Sequence, residues 1–407
     1  MTAIELKQGL LDSVDHPILD LFADKHIPNV DDNKKAMTVQ HLLDMTSGFE
    51  WQERAYTPDE TIMRMYQAPD RTEFVLNQPM SSAPGAKFYY NSGNPYVLSA
   101  LITKKTGSNA FDFAKKELFG PLGITSAKWG RIDAQGVTDG EAGLSLAPHD
   151  MARIGYLYLH DGMWDGKQII PLSWVERAKA GIVPATGGTH YSNLWWSIPE
   201  KGAYMALGRH SQMILVLPKL DVVAVMTGIV GDDERRPTRQ VIDGIAGAIK
   251  ADTALPPDPI AQALLATVIQ RAATETPSEV GGTPDLVKDI SGTAYQFADN
   301  RLNVTSFTLN LSGPDPYWQI TTDRNHFAQT FSGLIGLDGV FRKSPPAFYG
   351  INATKGRWLG QRTFQVERRI LGHSETQMWA LTFDGDKVDV SYEDTDGSKM
   401  QLHGERH

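Results

Sequence analysis

The stretch Phe88–Gly107, FYYNSGNPYVLSALITKKTG, sets two tyrosines ahead of a tight turn and then a helix. Asn94 reads as the N-cap, Pro95 fits the first helical position, and Gly107 supplies the left-handed residue that closes a helix. Between them Val97, Leu98, Leu101 and Ile102 recur at helical spacing and predict one apolar stripe. In the extended segment upstream, residues two apart point the same way, so Tyr90 and Ser92 are expected to face a common pocket. The positive end of the helix would lie beside it. A tyrosine, with its ordinary pKa of about 10, relays protons at neutral pH only where a cation or a buried donor lowers that value. On spacing alone, the plainer reading is that Tyr89 and Tyr90 are half-buried aromatics of a loop.

The rest of the chain bounds what such a tyrosine could serve. At 407 residues it is too long for one ordinary core, which predicts two domains. A composition of 41% hydrophobic and 21% charged residues is that of a globular protein. The net charge of −9 argues against nucleic acid or an anionic membrane as the main partner. There is no cysteine, so no thiol nucleophile, disulfide or thiolate metal site can form. No apolar run approaches the roughly 20 residues that span a bilayer. The opening MTAIELKQGLLDSVDHPIL is not a signal peptide, because Glu5 and Lys7 interrupt it. It reads as the tail of a helix, with Gly9 as C-cap and Leu10 and Leu11 turning back onto the core. As given, the chain is expected to be cytoplasmic; any export signal would lie upstream.

Helices, short strands and glycine turns alternate through residues 1–250. TVQHLLDMTSGF predicts a helix with Thr38 as N-cap and Gly48 at its end, and APHDMARIGYLYLHDG a second ending at Gly162. The run YMALGRHSQMILVLPKLDVVAVMTG predicts an antiparallel hairpin turning at Pro218 and Lys219. The fold class expected is α/β (α+β), an antiparallel sheet flanked by helices. Residues 251–289 read as a linker with a short helix over 258–273. From residue 290 to 407, short strands alternate with turns, which predicts a small all-β barrel or sandwich.

Several of these segments in this order, PGAKFYYNSGNPYVLSALITKKTG, FAKKELFGPLGI, GEAGLSLAPHDMARIGYLYLHDG, YSNLWWSIP and ALGRHSQMILVLPKLDVVAVMTG, resemble the serine β-lactamase-related hydrolases. That group holds class C β-lactamases, D-alanyl-D-alanine carboxypeptidases, esterases and 6-aminohexanoate-oligomer hydrolases. TVQHLLDMTSGFEW resembles its Leu-Leu-x-Met-Thr-Ser-Gly segment, and the C-terminal β domain resembles the lipocalin-like module carried by some members. The resemblance covers about residues 1–250 and implies a β-lactamase/transpeptidase-like fold. It also implies a three-part site. A Ser-x-x-Lys pair supplies nucleophile and base, a Tyr-x-Asn or Tyr-x-Ser loop carries a second proton, and Lys-Thr-Gly or a variant lines the site from an edge strand. Acyl transfer then runs through an acyl-enzyme, with backbone N–H groups holding the oxyanion.

Carried over by position, Tyr90-Asn91-Ser92 is the second motif, with Tyr90 the proton-transfer residue and Ser92 where many members have asparagine. The third motif reads Ala206-Leu207-Gly208, without the usual lysine. Gly208, His210 and Ser211 are its candidate substrate-side residues; a strand running beside substrate benefits from a glycine. His210 and Arg209 read equally as solvated strand-end residues. Loss of the lysine favours ester and simple amide substrates over a carboxylate-bearing one. Two look-alikes carry no weight. Lys105-Thr106-Gly107 ends the helix that starts near Pro95, and Ser145 in Gly143-Leu144-Ser145 precedes a helix rather than linking strand to helix. No serine has a lysine three residues later, and Thr125-Ser126-Ala127-Lys128 has that spacing only from a threonine. The resemblance places the nucleophile two or three helical turns before Met1, so the chain is expected to be N-terminally truncated, inactive as given, and to leave an unpaired β-edge near residues 205–228. The alternative is a ligand-binding pseudoenzyme. Trp51, Trp195 and Trp196 are left unassigned between pocket and core. No metal-ligand spacing and no cofactor motif is present, so the expected partner is a small ester or amide.

Overall fold

The computed structural model describes residues 1–54, 58–130, 132–228, 235–278, 280–324, 327–346, 350–372, 376–395 and 397–406. The chain forms two compact units. One is Met1–Gly228 with the helix that follows it, and the other lies within residues 249–407. Six helices organise the first unit: α1 (Thr2–Lys7), α2 (Val39–Leu43), α3 (Gly93–Thr106), α4 (Pro148–Leu159), α5 (Leu172–Ala180) and α6 (Arg235–Ala248). Its sheet holds β1 (Val183–Pro184), β2 (His190–Ser192), β3 (Trp195–Ile198), β4 (Ala203–Gly208), β5 (Gln212–Leu217) and β6 (Val222–Met226). These strands run as an antiparallel meander in the order β6-β5-β4-β3-β2-β1, with β6 at one edge. The expected hairpin is β5–β6, Leu217 opposite Val222, turned through Pro218–Leu220.

Side-chain alternation along these strands buries both faces of the sheet. Trp195, Tyr204, Ile214 and Val216 pack with Met151, Leu157 and Tyr158 of α4 and Val175 and Ala178 of α5. On the other face Ile198, Met205, Met213, Leu215 and Leu217 meet Ile242 of α6. The close approach of α4 needs a glycine: a Cβ on Gly155 would lie 2.4 Å from Val223 Cγ1. A separate core holds Leu42, Leu43, Phe49, Trp51, Val75, Tyr96, Val97 and Leu101, and seats α2 against α3.

Two helix boundaries differ from those expected. α3 begins at Gly93 with Ser92 as N-cap, and Gly93 through Ile102 are all buried, so the helix is enclosed on every side rather than striped. α2 stops at Leu43, well short of Gly48. Met45 takes a left-handed φ of 55°, and the Thr46 amide donates 2.8 Å to the His41 carbonyl, which closes the helix as a Schellman turn. Gly48 serves a later contact instead: at φ 84°, a Cβ there would meet the Ser82 carbonyl oxygen at 2.3 Å. The expected N-terminal helix is α1, with Gly9 left-handed behind it and Leu11 buried.

In the second unit, α7 (Pro259–Ala273) starts at Asp258, whose carboxylate accepts from the Ala261 amide at 2.9 Å. Ten strands follow: β7 (Ala294–Phe297), β8 (Val304–Asn310), β9 (Tyr317–Arg324), β10 (Phe327–Leu334), β11 (Arg342–Lys343), β12 (Ile351–Trp358), β13 (Thr363–Leu371), β14 (Thr376–Asp384), β15 (Lys387–Asp394) and β16 (Lys399–Arg406). They form one antiparallel sheet in the order β10-β9-β8-β7-β16-β15-β14-β13-β12-β11. Gly336, just past β10, bridges to Lys355 of β12 and brings the ends together as a near-closed barrel. Its interior is filled by Tyr295, Trp318, Phe364, Leu381 and Phe383, each at most 2% exposed. Among the described residues, no helix is long and apolar enough to cross a membrane.

Candidate active site

The loop that carries Tyr90 is tied from below at several points. The Tyr89 amide donates 2.8 Å to the Met45 carbonyl, and the Tyr89 hydroxyl donates 2.7 Å to the Trp51 carbonyl. Asn91 Oδ1 accepts from the Gly93 amide at 2.8 Å, which turns the chain into α3. The Ser92 amide donates 2.9 Å to Glu53 Oε2, and the same oxygen accepts from Trp51 Nε1 at 2.6 Å. Burial pushes the Glu53 carboxyl above the usual carboxylate range, opposed by these two donors and by the Ser92 hydroxyl. Gly93 has no room for a side chain, since a Cβ would press on Trp51, Val75 and Asn91 at 2.9 Å. The loop is therefore packed from beneath, while Tyr89 and Tyr90 remain 38% and 39% exposed.

The opposite wall comes from the sheet. The β2–β3 hairpin turns through Asn193 and Leu194, whose φ values of 50° and 64° are the left-handed pair of a two-residue turn. Neither residue is glycine, and the turn is held in place by α2. The Leu194 amide donates 2.9 Å to the Leu43 carbonyl, and the Asn193 amide donates 3.1 Å to Asp44 Oδ1. Asp44 is buried and takes Arg177 of α5 on its other oxygen. This docking presents Tyr191 and Trp196, paired across β2 and β3, to the Tyr90 loop. The Tyr90 ring lies nearly parallel to Trp196, with centroids 6.1 Å apart and an interplanar angle of 8°, and perpendicular to Tyr191 at 6.4 Å. Phe88 closes the group at 5.3 Å from Tyr191. Behind Trp196, toward α6, a cavity of about 10 Å³ lined by Thr189, Met205, Leu207 and Thr238 has room for a single water.

Tyr191 is 3% exposed, and burial raises its phenol well above the ordinary value, with the charges of Tyr90, Asp44 and Glu53 adding to the effect. It therefore stays protonated at neutral pH. Among the described residues its hydroxyl has no hydrogen-bond partner, so it stands beside Tyr90 as an unbonded donor.

The other sequence candidates fall into two places. Ser92 is buried with its amide on Glu53, beneath the loop whose outer side carries Tyr90. Gly208 is exposed at the end of β4, three residues past the Met205–Trp196 pair, roughly 10 Å along the strand. His210 and Ser211, 3% and 0% exposed, form the β4–β5 turn with left-handed φ of 59° and 68°. Such values on two non-glycine residues mark a turn held under strain. Of the three tryptophans left open, Trp51 and Trp195 are core, and Trp196 alone stacks on Tyr90. Ser126 donates to Asp150 at 2.6 Å, a structural tie, and Lys105-Thr106-Gly107 closes α3 as expected. Sequence reasoning passed over Glu53 and Tyr191. Nothing in Trp51-Gln52-Glu53 marks the carboxylate, whereas Tyr191 could have been found from the alternation that puts it level with Trp196.

The profile of the beta-lactamase family matches residues 3–240, more than half of the 407-residue chain. The chain belongs to the beta-lactamase family. A 6-aminohexanoate-dimer hydrolase from Paenarthrobacter ureafaciens is 25% identical over 187 residues, covering 43% of this chain and 47% of that protein. The chain thus spans about half the length of this relative. A solved structure from Bacillus anthracis, described as a candidate 6-aminohexanoate-dimer hydrolase, has a TM-score of 0.50 at 22% identity over 60% of this chain and 67% of its own, a likeness of fold. The octameric penicillin-binding protein homologue from Pyrococcus abyssi has a TM-score of 0.41 at 15% identity, over 99% of this chain and 84% of its own.

Proposed function

We propose that the Tyr90 cleft is the proton-transfer and substrate side of a serine-hydrolase site, an esterase or amidase working through an acyl-enzyme. The observation that carries this reading is the phenol of Tyr90, exposed on a loop that is otherwise tied down, in the family's Tyr-x-Ser position and stacked on Trp196. In this reading Tyr90 passes a proton between the serine hydroxyl and the leaving group, and Tyr191, protonated and unbonded, donates to an oxygen of the bound substrate. Gly208, His210 and Ser211 border the substrate from the end of β4. With Ala206-Leu207-Gly208 in place of a lysine-bearing strand motif, the substrate acyl group need not carry a carboxylate.

The hydroxyl–amine pair that attacks the ester or amide is not among these 407 residues, since no serine precedes a lysine at the required spacing. The reading therefore predicts no acyl adduct when this chain meets a fluorophosphonate probe. The same chain extended at its N-terminus by a helix carrying Ser-x-x-Lys should be labelled and should cleave p-nitrophenyl esters. Replacing Tyr90 with Phe in that protein should lower turnover at least about 100-fold, the scale of a lost general acid–base group. Ester hydrolysis by the 407-residue chain that survives Tyr90→Phe would place the chemistry elsewhere. A second reading is a pseudoenzyme that binds small esters or amides in the aromatic cleft without turnover; saturable quenching of Trp196 by an uncleaved ester would support it.

A further inference from the structure

We propose that Glu53 is a positioning residue for the Tyr90 loop, a carboxyl latch whose protonation state sets how firmly the loop is held. A single oxygen, Oε2, accepts both the Ser92 amide at 2.9 Å and the Trp51 indole at 2.6 Å. One donor is the N-cap amide of α3, and the other belongs to the buried tryptophan on which Gly93 rests. The carboxylate thus joins the segment 51–53 to the start of α3, and the Tyr89 hydroxyl on the Trp51 carbonyl adds a second tie between the same two segments. An anion can hold two N–H donors on one oxygen with bonds about twice as strong as neutral ones. Protonation removes that assistance at both bonds together and at the same time relieves the larger cost of burying the charge.

Among the described residues, few groups face this carboxylate. Glu60, on its own segment, is a like charge that raises its pKa further, and Tyr191 on β2 senses its charge from the sheet. Tyr90 and Asp44 act on the same Tyr191 phenol, and Asp44 is compensated by Arg177. Burial is the larger cause and Glu60 adds in the same direction, so the latch would switch above the pH at which an exposed glutamate titrates. Tyr90, two residues before Ser92, would shift against Trp196 when it does.

This inference rests on the hydrolase reading only for its catalytic consequence, and its test requires no turnover. In the ¹⁵N-labelled 407-residue chain, the Trp51 indole N–H and the Ser92 amide should move together along one titration curve. The midpoint should lie above the ordinary glutamate value of about 4.3. The indole N–H of Trp318, which donates to Thr354 at 3.0 Å, should stay still as the control. Glu53→Gln should flatten both moving signals, and the rate at which Tyr90 reacts with N-acetylimidazole should change across the midpoint. Static signals, a midpoint at or below the ordinary value, or a curve that persists in Glu53→Gln would overturn the latch. A latch that titrates while Tyr90 reactivity stays constant would overturn its positioning role. Should Glu53→Gln fail to fold, the titration of the unaltered chain still decides.

Discussion

The barrel interior and the Tyr90 cleft are built from the same residue types and end in opposite states. In the barrel, Trp318 donates to Thr354 at 3.0 Å, the Tyr392 hydroxyl donates to Asp394 at 3.1 Å, and the rings are sealed from solvent. In the cleft, Tyr90 keeps 39% of its surface exposed while touching two other rings, and Tyr191 is buried with no partner for its hydroxyl among the described residues. One unbonded hydroxyl does not by itself make a site. That of Tyr295 is also buried without a partner among the described residues, but its contacts are with core residues such as Phe383. What distinguishes the cleft is the pairing of an unbonded donor with an accessible phenol. Packing has been completed in one region and left open in the other.

Truncating the barrel core should produce the largest effect. Trp318 is 1% exposed, so Trp318→Ala should cost about 3–5 kcal/mol, read as a shifted denaturation midpoint for the transition that reports the barrel. A loss under about 1 kcal/mol would mean that the barrel interior is no better packed than the cleft. The next test separates two tyrosines by size of effect. Tyr392→Phe removes a hydrogen bond and should cost about 1 kcal/mol, whereas Tyr191→Phe removes a hydroxyl that makes no hydrogen bond among the described residues and should cost clearly less. Equal losses in urea unfolding would show that Tyr191 is satisfied in solution and would remove it from the site.

Glu53 gives the comparison a pH axis. Its carboxyl is raised in the folded chain, so the folded state holds the proton more tightly than the unfolded one. The stability linked to this group is complete below the ordinary glutamate range and is lost as pH rises through the raised value. Glu53→Gln should flatten that limb of the stability–pH curve of the first unit. A mutant curve parallel to that of the unaltered chain would assign the slope to other groups.

The organisation of the chain was legible from periodicity and punctuation. α3, α4, the β5–β6 hairpin and the strand-rich C-terminal region all follow from apolar spacing with Pro, Gly and Asn at the ends. The end of α2 was not legible, because Met45 rather than a glycine takes the left-handed turn there. The tertiary seating of α2 against the Asn193–Leu194 turn is what accommodates it. Tyr90 could be picked out because its motif is local. Glu53 could not, because its role depends on the chain folding the Trp51 segment under Ser92 across a sequence separation of 39.

The smallest expected effect is the most pointed. Tyr90 is exposed, lies against Trp196 without enclosing it, and sits on a loop held by its neighbours' backbone groups. Tyr90→Phe keeps the ring contacts and removes only the hydroxyl, so it should cost about 0.5 kcal/mol, the low end of what one hydrogen bond to an exposed group contributes. A loss that small would give this phenol a reason to be on an anchored loop other than packing. Measured beside Trp318→Ala in one denaturation series, a Tyr90→Phe loss of about 2 kcal/mol or more would instead make this phenol a structural hydrogen-bonding group. The polar groups of the cleft would then be taken up by the fold just as those of the barrel are, and the contrast on which the functional reading stands would be gone.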